Sequence, residues 1–440
     1  MKKSFTILML SIILYFVPGW NETMAQELLD FYGYYNNPVL DHGGSGTYDE
    51  TALSPFTIWD DGIFYLFYSG SAGVCVATSL DGYDYTKLDG ENPVFTASVS
   101  GFDSKGVYYP VILKVGTEWI MYYGASQSGA PFEYIGRATA DSLTGSWERS
   151  SDPVLARGGP GEWDSGIICA NSVIPLDTGG FIMFYFAANN NGGSWLMGMA
   201  TSPDGISWTK YNDPLTTQAP YADSDPILPA GSIGEFDEWG VAGAAVLKND
   251  GYYGGYYHMY YAGYAPGPNG FSSAIGYAYS TDGIIWNKYV QNPIFSPGND
   301  PYFDETLMIF ESPCILAQDS TVYLYYDYGL TEHSIGLATA DNSWCGINDR
   351  EITDYELRIT NYPNPVYHLT TLYYTLNKPC QVKLEIYDSF GRLVDVPANK
   401  YQQKGEQQVV WNAEPYPAGI YYYRLQADGK SGGGIMIIIK

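Results

Sequence analysis

Ala77-Thr78-Ser79-Leu80-Asp81-Gly82-Tyr83-Asp84-Tyr85 decides the fold, because it recurs. Related copies are Ala138-Thr139-Ala140-Asp141-Ser142-Leu143-Thr144-Gly145-Ser146-Trp147, Ala200-Thr201-Ser202-Pro203-Asp204-Gly205-Ile206-Ser207-Trp208 and Ala278-Tyr279-Ser280-Thr281-Asp282-Gly283-Ile284-Ile285-Trp286. A degenerate fifth runs from Ala338 to Trp344, and successive copies lie 61, 62, 78 and 60 residues apart. Asp-Gly between apolar runs is a strong hairpin signal. Before each copy stands a tyrosine-rich run, beginning at Phe64, Trp119, Phe181, Tyr257 and Val322. Such runs favour β structure, since aromatic and β-branched side chains fit a pleated, half-buried surface.

Working outward, a second pattern follows the turns: Asn92-Pro93-Val94-Phe95, Asp152-Pro153-Val154-Leu155, Asp225-Pro226-Ile227-Leu228 and Asn292-Pro293-Ile294-Phe295. A glycine-containing loop then ends in an aromatic-Asp pair, at Asp103, Asp164, Asp237 and Asp304, with Asp49 before the first unit. Each unit thus reads as four strands: an inner strand, a tyrosine-rich strand, an Ala-Thr strand and an Asn-Pro strand. Four strands repeated radially predict a β-propeller, and five units predict five blades. One Asn-Pro copy, Asn37-Pro38-Val39-Leu40, precedes the first unit, and the last unit lacks its own. Residues 37–40 are therefore expected to complete blade five and close the ring. A sialidase would need six blades and inner-strand arginines, and a Trp-Asp repeat protein would show its own signatures. Neither pattern is present.

The ends are different material. Lys2 and Lys3 followed by the apolar run Phe5–Phe16 read as a signal peptide over residues 1–25, cleaved before Gln26. No later run has the length and apolarity of a membrane helix, so the mature chain is expected to lack a transmembrane segment. The five cysteines are scattered, with no zinc-like spacing, and Cys75, Cys169 and Cys314 read as buried free thiols. The divisions expected are a propeller over 30–346, a linker over 347–355 and a tail over 356–440. The tail carries Tyr362-Pro363-Asn364-Pro365, the run Val382–Val394, Trp411 and Ala418–Leu425, and its alternating strands predict a small immunoglobulin-like β-sandwich. The fold class is all-β.

Charge narrows the partners. The chain has 21 basic and 48 acidic residues, a formal charge of -27. Residues 26–355 alone hold ten basic against forty acidic. That excludes nucleic acid, whose binding requires a basic footprint, and favours a neutral over an acidic polysaccharide.

The inner strand, Tyr-Tyr strand, Ala-Thr-Ser-x-Asp-Gly-x-x-Trp turn and Asn-Pro-Val-Leu segment together resemble the five-bladed propellers of glycoside hydrolase families 43 and 32. The resemblance implies a carbohydrate substrate in an axial funnel, with one Asp as base or nucleophile, one Glu as acid and a further Asp positioning them. Glu311-Ser312-Pro313 resembles the Glu-x-Pro of the acid, and Leu53, Tyr108, Ala170 and Gly243 stand at the corresponding places in the other blades. Family 43 usually carries this Glu on a middle blade, whereas here it is on the last. The Asn-Asp-Pro-Asn-Gly motif of family 32 is absent. The base on blade one is Asp49, Glu50 or Asp41, with Asp49 preferred, and Asp164 or Asp103 positions. The same five-fold aspartates also suit a purely structural task, holding the loop into each inner strand. Tyr109, Asn171, Trp239, Asp237, Asp304 and His333 are the candidates for binding sugar. Asn189-Asn190-Asn191 with Trp195, Pro266-Gly267-Pro268-Asn269 with Phe271, and Glu332 are further loop candidates, since aromatic faces stack on sugar rings and amides bind hydroxyls. No motif demands a cofactor or metal; calcium among the carboxylates stays open.

The tail resembles the type A C-terminal sorting domain of the type IX secretion system. This implies a Bacteroidota-type source, handling by that machinery, and a secreted or outer-membrane surface-attached product. The rival reading of the tail is an immunoglobulin-like carbohydrate-binding module. The rival reading of the whole is a non-catalytic glycan-binding propeller.

Overall fold

The computed structural model describes residues 29, 31–129, 132–189, 193–249, 256–267, 272–297, 310–318, 321–329, 333–341, 359–362, 366–376, 378–388, 392–427 and 430–440. The expected signal peptide, the linker, Cys345, Asp304, Asn190, Asn191, Pro268, Asn269, Phe271 and Glu332 lie outside them. The described residues are all-β, and among them no helix is long and apolar enough to cross a membrane.

Five sheets of four or five strands account for the repeats. The inner strands are Leu53–Asp60, Gly106–Val115, Ile167–Pro175, Gly240–Asn249 and Phe310–Gln318. The tyrosine-rich strands Ile63–Gly70, Glu118–Ser126, Phe181–Ala188, Tyr256–Ala265 and Thr321–Tyr328 come next. Third are Gly73–Ser79, Tyr134–Ala140, Leu196–Ser202, Ser272–Ser280 and Ser334–Asp341. These strands are apolar because both faces of a blade are covered by its neighbours. Tyr68, Tyr122, Tyr123, Tyr185, Tyr325 and Tyr326 are fully buried.

The ring is fastened at the level of the inner strands. Thr57 N–H donates to Cys314 Sγ (3.2 Å) between blades one and five. Tyr109 N–H donates to Ser69 Oγ (2.8 Å) between blades one and two. Ser172 Oγ donates to the Ala244 carbonyl (3.3 Å) between blades three and four. Blades four and five approach so closely that a Cβ on Gly243 would stand 2.8 Å from Ser312 Cα. Two buried tyrosines reach across to the Asp-Gly turns of the next blade, Tyr122 to the Gly205 carbonyl (2.6 Å) and Tyr325 to that of Gly82 (2.9 Å). Those turns need glycine, with φ of 73° and 80°. Their aspartate caps them: Asp204 accepts from the N–H groups of Ser207 and Ile206, which hold its carboxyl at about 2.

The outer strand is not one continuous strand. Thr86–Lys87 pairs with Thr78 and Ala77, and Phe95 then bridges Val74. Between them the Asn92 side chain stands in for a backbone amide, accepting from Val76 N–H and donating to Val76 C=O, both at 2.8 Å. Asn292 does the same at Tyr277. In blade five the N-terminal segment supplies the edge among the described residues. Tyr32–Gly33 pairs with Thr339 and Ala338, Asn37 brackets Leu337 N–H and C=O at 2.9 Å each, and Leu40 bridges Ile335. The ring closes where the repeat count places the closure.

The tail folds as two sheets. Ile359–Tyr362, Leu369–Leu376 and Gly405–Asn412 form one, and Leu393–Gln402, Cys380–Asp388, Gly419–Ala427 and Lys430–Ile438 the other. Its core gathers Leu372, Val382, Leu384, Trp411 and Leu425, and Trp411 Nε1 donates to Asp395 (2.8 Å). Cys75, Cys169, Cys314 and Cys380 are buried free thiols.

Two outcomes follow for stability. Asn37→Ala strands the Leu337 amide and should cost about 1–3 kcal/mol in denaturant unfolding; an unchanged midpoint would mean the closure bears no stability. His258, on the tyrosine-rich strand of blade four, is held by burial at about 4, against an ordinary 6.5. The unfolded chain therefore binds a proton there that the folded chain refuses. Stability should fall by up to about 3 kcal/mol as pH drops from 6.5 to 4. His258→Gln should flatten that part of the pH–stability curve.

Candidate functional site

Every blade presents two ends. The turns after the inner strands and the Asp-Gly turns lie at one end. The loops entering the inner strands and the turns after the tyrosine-rich strands share the other, here called the loop face. Contacts between these loops confirm the pairing: Ala52 N–H donates to the His333 carbonyl (2.8 Å), and Lys105 N–H to that of Ser126 (2.9 Å).

The repeat aspartates lie beneath this face, and they are locked. Asp49, Asp103, Asp164 and Asp237 are 3%, 1%, 0% and 1% exposed. Asp49 pairs with Lys87 Nζ (2.5 Å), Asp164 with Lys210 Nζ (2.5 Å) and Asp237 with Lys288 Nζ (2.6 Å). Asp103 is bonded to Arg149 and Ser98, and accepts from Tyr123 Oη (3.0 Å). Tyr261 Oη likewise donates to Asp237 (3.0 Å). Burial, then the Asp103 charge, pushes the Tyr123 phenol upward, so it remains a donor. The cation in each case ends the short outer strand of the same blade. A glycine on the incoming loop makes room: a Cβ on Gly158 or Gly231 would stand 2.0 or 2.1 Å from the Asp164 or Asp237 carboxylate. A carboxylate so enclosed has no surface to offer a sugar, so Asp49, Asp103, Asp164 and Asp237 work as structural ion-pair partners. Sequence reading weighed that role but missed the cations. They were visible as a Lys or Arg closing each turn, at positions 87, 149, 210 and 288.

What faces the axis is a ring of β-bulges. Leu53 and Phe56 flank one, Tyr108 and Val111 another, and Glu311 and Cys314 a third; a single extra residue, Asn171, bulges from blade three. Ser54, Tyr109, Ser312 and Gly243 take the left-handed conformation, with φ of 54°, 52°, 43° and 47°. Non-glycine residues held there cost of order 1–3 kcal/mol each, and bulges concentrate beside active sites, where they re-aim side chains. Proline follows in three blades because a bulged N–H has no ladder partner to lose. The bulges set the equivalences: Leu53, Tyr108, Ala170 and Ala242 correspond to Glu311. The sequence expectation of Gly243 is one residue late, because blade four has Gly-Ala where blades one, two and five have x-Pro. Glu311 remains the single acidic residue among the five.

The remaining candidates divide between two seams of the loop face. At the seam of blades five and one, the backbone of Glu311 pairs in register with Asp327, whose carboxylate stands 3.8 Å from His333 Nδ1. Burial lowers the His333 pKa, keeping the ring neutral. Asp41 nearby is exposed and accepts from Ser334 Oγ (2.6 Å). Glu50 accepts from Ser45 Oγ (3.1 Å) and from the Gly46 N–H (3.3 Å). Toward blades three and four, Tyr109 packs edge-on against Phe132 and Phe186 at 5.1 and 5.5 Å. Asn171 Oδ1 is buried without a hydrogen-bond partner. Trp239 is 47% exposed and Trp195 38%. The opposite end carries a cleft of about 370 Å³ lined by Asp60, Tyr65, Lys114, Trp119 and Asp141. Lys114 fills part of it, bonded to Asp60 (3.0 Å) and lying over the Trp119 ring. Among the described residues no group of three or more His, Cys, Asp or Glu is placed to hold a metal ion.

Comparison with known proteins agrees with this architecture. No curated protein matches the sequence. Residues 360–440 match the family described as the secretion system C-terminal sorting domain. The fold resembles a protein of Parabacteroides distasonis solved as a candidate glycoside hydrolase, at 18% identity and TM-score 0.54, covering 71% of this protein and 96% of that one. It also resembles a glycoside hydrolase, at 17% identity and TM-score 0.55, with 73% and 95% covered. A third is the β-1,2-mannobiose phosphorylase of Listeria innocua, at 14% identity and TM-score 0.52, with 71% and 97% covered.

The ion pairs carry a direct test. Asp164→Ala leaves Lys210 buried and unpaired and should cost about 3–5 kcal/mol in unfolding free energy, much of it recovered by Lys210→Met in the same protein. A stable Asp164→Ala protein would contradict the structural role. The chain thus joins a β-propeller, similar in fold to solved glycoside hydrolases, to a C-terminal sorting-domain tail that implies export.

Proposed function

We propose that the mature protein is a secreted or surface-attached glycoside hydrolase acting on a neutral poly- or oligosaccharide, held at the loop face of the propeller. The observation that carries this reading is the bulge ring, where one carboxylic acid, Glu311, interrupts four otherwise apolar equivalents. Hydrolysis of a glycosidic bond needs a carboxylic acid at the leaving oxygen, and Glu311 is the one acidic residue among the five equivalent positions. The base moves from Asp49, which Lys87 occupies, to the carboxylates of the same approach that remain open, Glu50 first and Asp41 second. Asn171 supplies an amide oxygen for a sugar hydroxyl. The acidity of the propeller, whose Lys114, Arg137 and Arg157 are also paired with carboxylates, disfavours polyanionic substrates.

Glu311→Gln should lower reducing-sugar release from a cleaved neutral glycan by about 10²–10⁴-fold while leaving affinity nearly unchanged. Binding without turnover in either protein would favour a lectin-like role, which the locking of Asp49, Asp103 and Asp164 supports. Truncation before residue 356 should retain the protein in the periplasm of a type IX-competent host; full secretion of the truncated protein would refute the sorting role.

A further inference from the structure

We infer that Trp195 and Trp239 form a rigid two-ring platform that binds consecutive sugar units of a neutral glycan leading to the axis. This rests on the loop-face glycan reading and adds a binding site that the axial ring does not include.

Trp239 breaks the repeat. Two residues after each aromatic-Asp aspartate stand Thr51, Lys105, Gly166, Trp239 and Thr306. A large aromatic occurs there once, just before the inner strand of blade four. Trp195 comes from a different blade, in the turn after the tyrosine-rich strand of blade three. The backbone joins them: Trp195 bridges Gly240, and its carbonyl accepts from Val241 N–H (2.8 Å). The approach is so close that a Cβ on Gly240 would stand 2.7 Å from Trp195 N.

Tyr264 braces both residues. Its ring meets Trp195 edge-on at 4.7 Å, and its carbonyl accepts from Trp239 N–H (2.8 Å). Tyr264 itself is 6% exposed, whereas Trp195 and Trp239 are 38% and 47% exposed. Two tryptophans on adjoining backbone, the Trp195 ring braced by Tyr264 and both left open, offer apolar surface with no task inside the fold. A braced ring such as that of Trp195 loses little freedom on binding, the condition under which stacking converts into affinity. The exposed apolar side chains of the Asp-Gly turns in blades one, three and four, Leu80, Ile206 and Ile285, stand singly at the opposite end. The occupant has apolar ring faces and no net charge: the surrounding domain is strongly acidic, and Glu235 and Glu238 flank Trp239 in sequence.

The test is affinity electrophoresis of the full-length protein in gels containing β-mannan, arabinan or xylan, with polygalacturonate as the charged comparison. Wild type and Glu311→Gln should be retarded alike by at least one neutral polymer and not by polygalacturonate. Trp239→Ala and Trp195→Ala should each weaken retardation about tenfold, equivalent to ~1.4 kcal/mol, and Trp239→Phe should restore most of it. Unaltered melting temperatures exclude misfolding as the cause. Absence of retardation by every neutral polymer, or retardation untouched by both alanine variants, overturns the platform. Tryptophan-dependent retardation without sugar release would defeat the hydrolase reading and leave the platform standing. Sugar release with retardation unaffected by either alanine would do the reverse.

Discussion

A carboxylate buried against a lysine or arginine within the same blade is the constraint on which the propeller depends. Asp49–Lys87, Asp103–Arg149, Asp164–Lys210 and Asp237–Lys288 are four versions of one device. The long loop from one blade to the next would otherwise be free to slide over the blade end. Once its aspartate is buried beside a cation from the outer strand, any shift strands a charge in a poorly solvated place. A glycine opposite the carboxylate in three of the four, with Ser98 in its place at Asp103, helps complete the enclosure. With the loops pinned, each inner strand begins at a fixed height, and the bulges line up as a ring.

That constraint also explains what sequence could and could not give. The Asp-Gly turns, the tyrosine-rich strands and the missing outer strand of blade five were readable because each is a local pattern with a local cause. The Asn-Pro motif was readable as a marker but not as a mechanism: only the structure shows the asparagine amide replacing a stretch of backbone. The partners of the aspartates were harder, because nearly forty or more residues separate Asp49 from Lys87 and Asp103 from Arg149. Nothing in the spacing says that they meet. The equivalent of Glu311 in blade four was misplaced by one residue because proline, which marks the bulge in three blades, is replaced there. Glycine at 243 satisfies the same left-handed geometry by a different chemistry.

The proposed function sits where the repeat fails. Recurring features are architecture: the paired aspartates, the turn aspartates and the buried tyrosines all repeat among the described residues. Glu311 in the bulge ring and Trp239 at the seam of blades three and four do not recur. They share the loop face, as do Asn171, Asp41 and His333, whereas the cleft at the opposite end is partly filled by the Lys114–Asp60 pair. The cations of the propeller are largely engaged in internal pairs, so the acidic excess stays unneutralised and biases the face toward uncharged ligands.

The central claim is that this face, and not the opposite end, receives a glycan. A crystal structure of the Glu311→Gln protein with a bound neutral oligosaccharide tests it most directly. The account predicts sugar across the bulge ring, with residue 311 at a glycosidic oxygen and the glycan running over Trp239 and Trp195. An oligosaccharide seated instead in the cleft of Asp60, Lys114, Trp119 and Asp141 would contradict it.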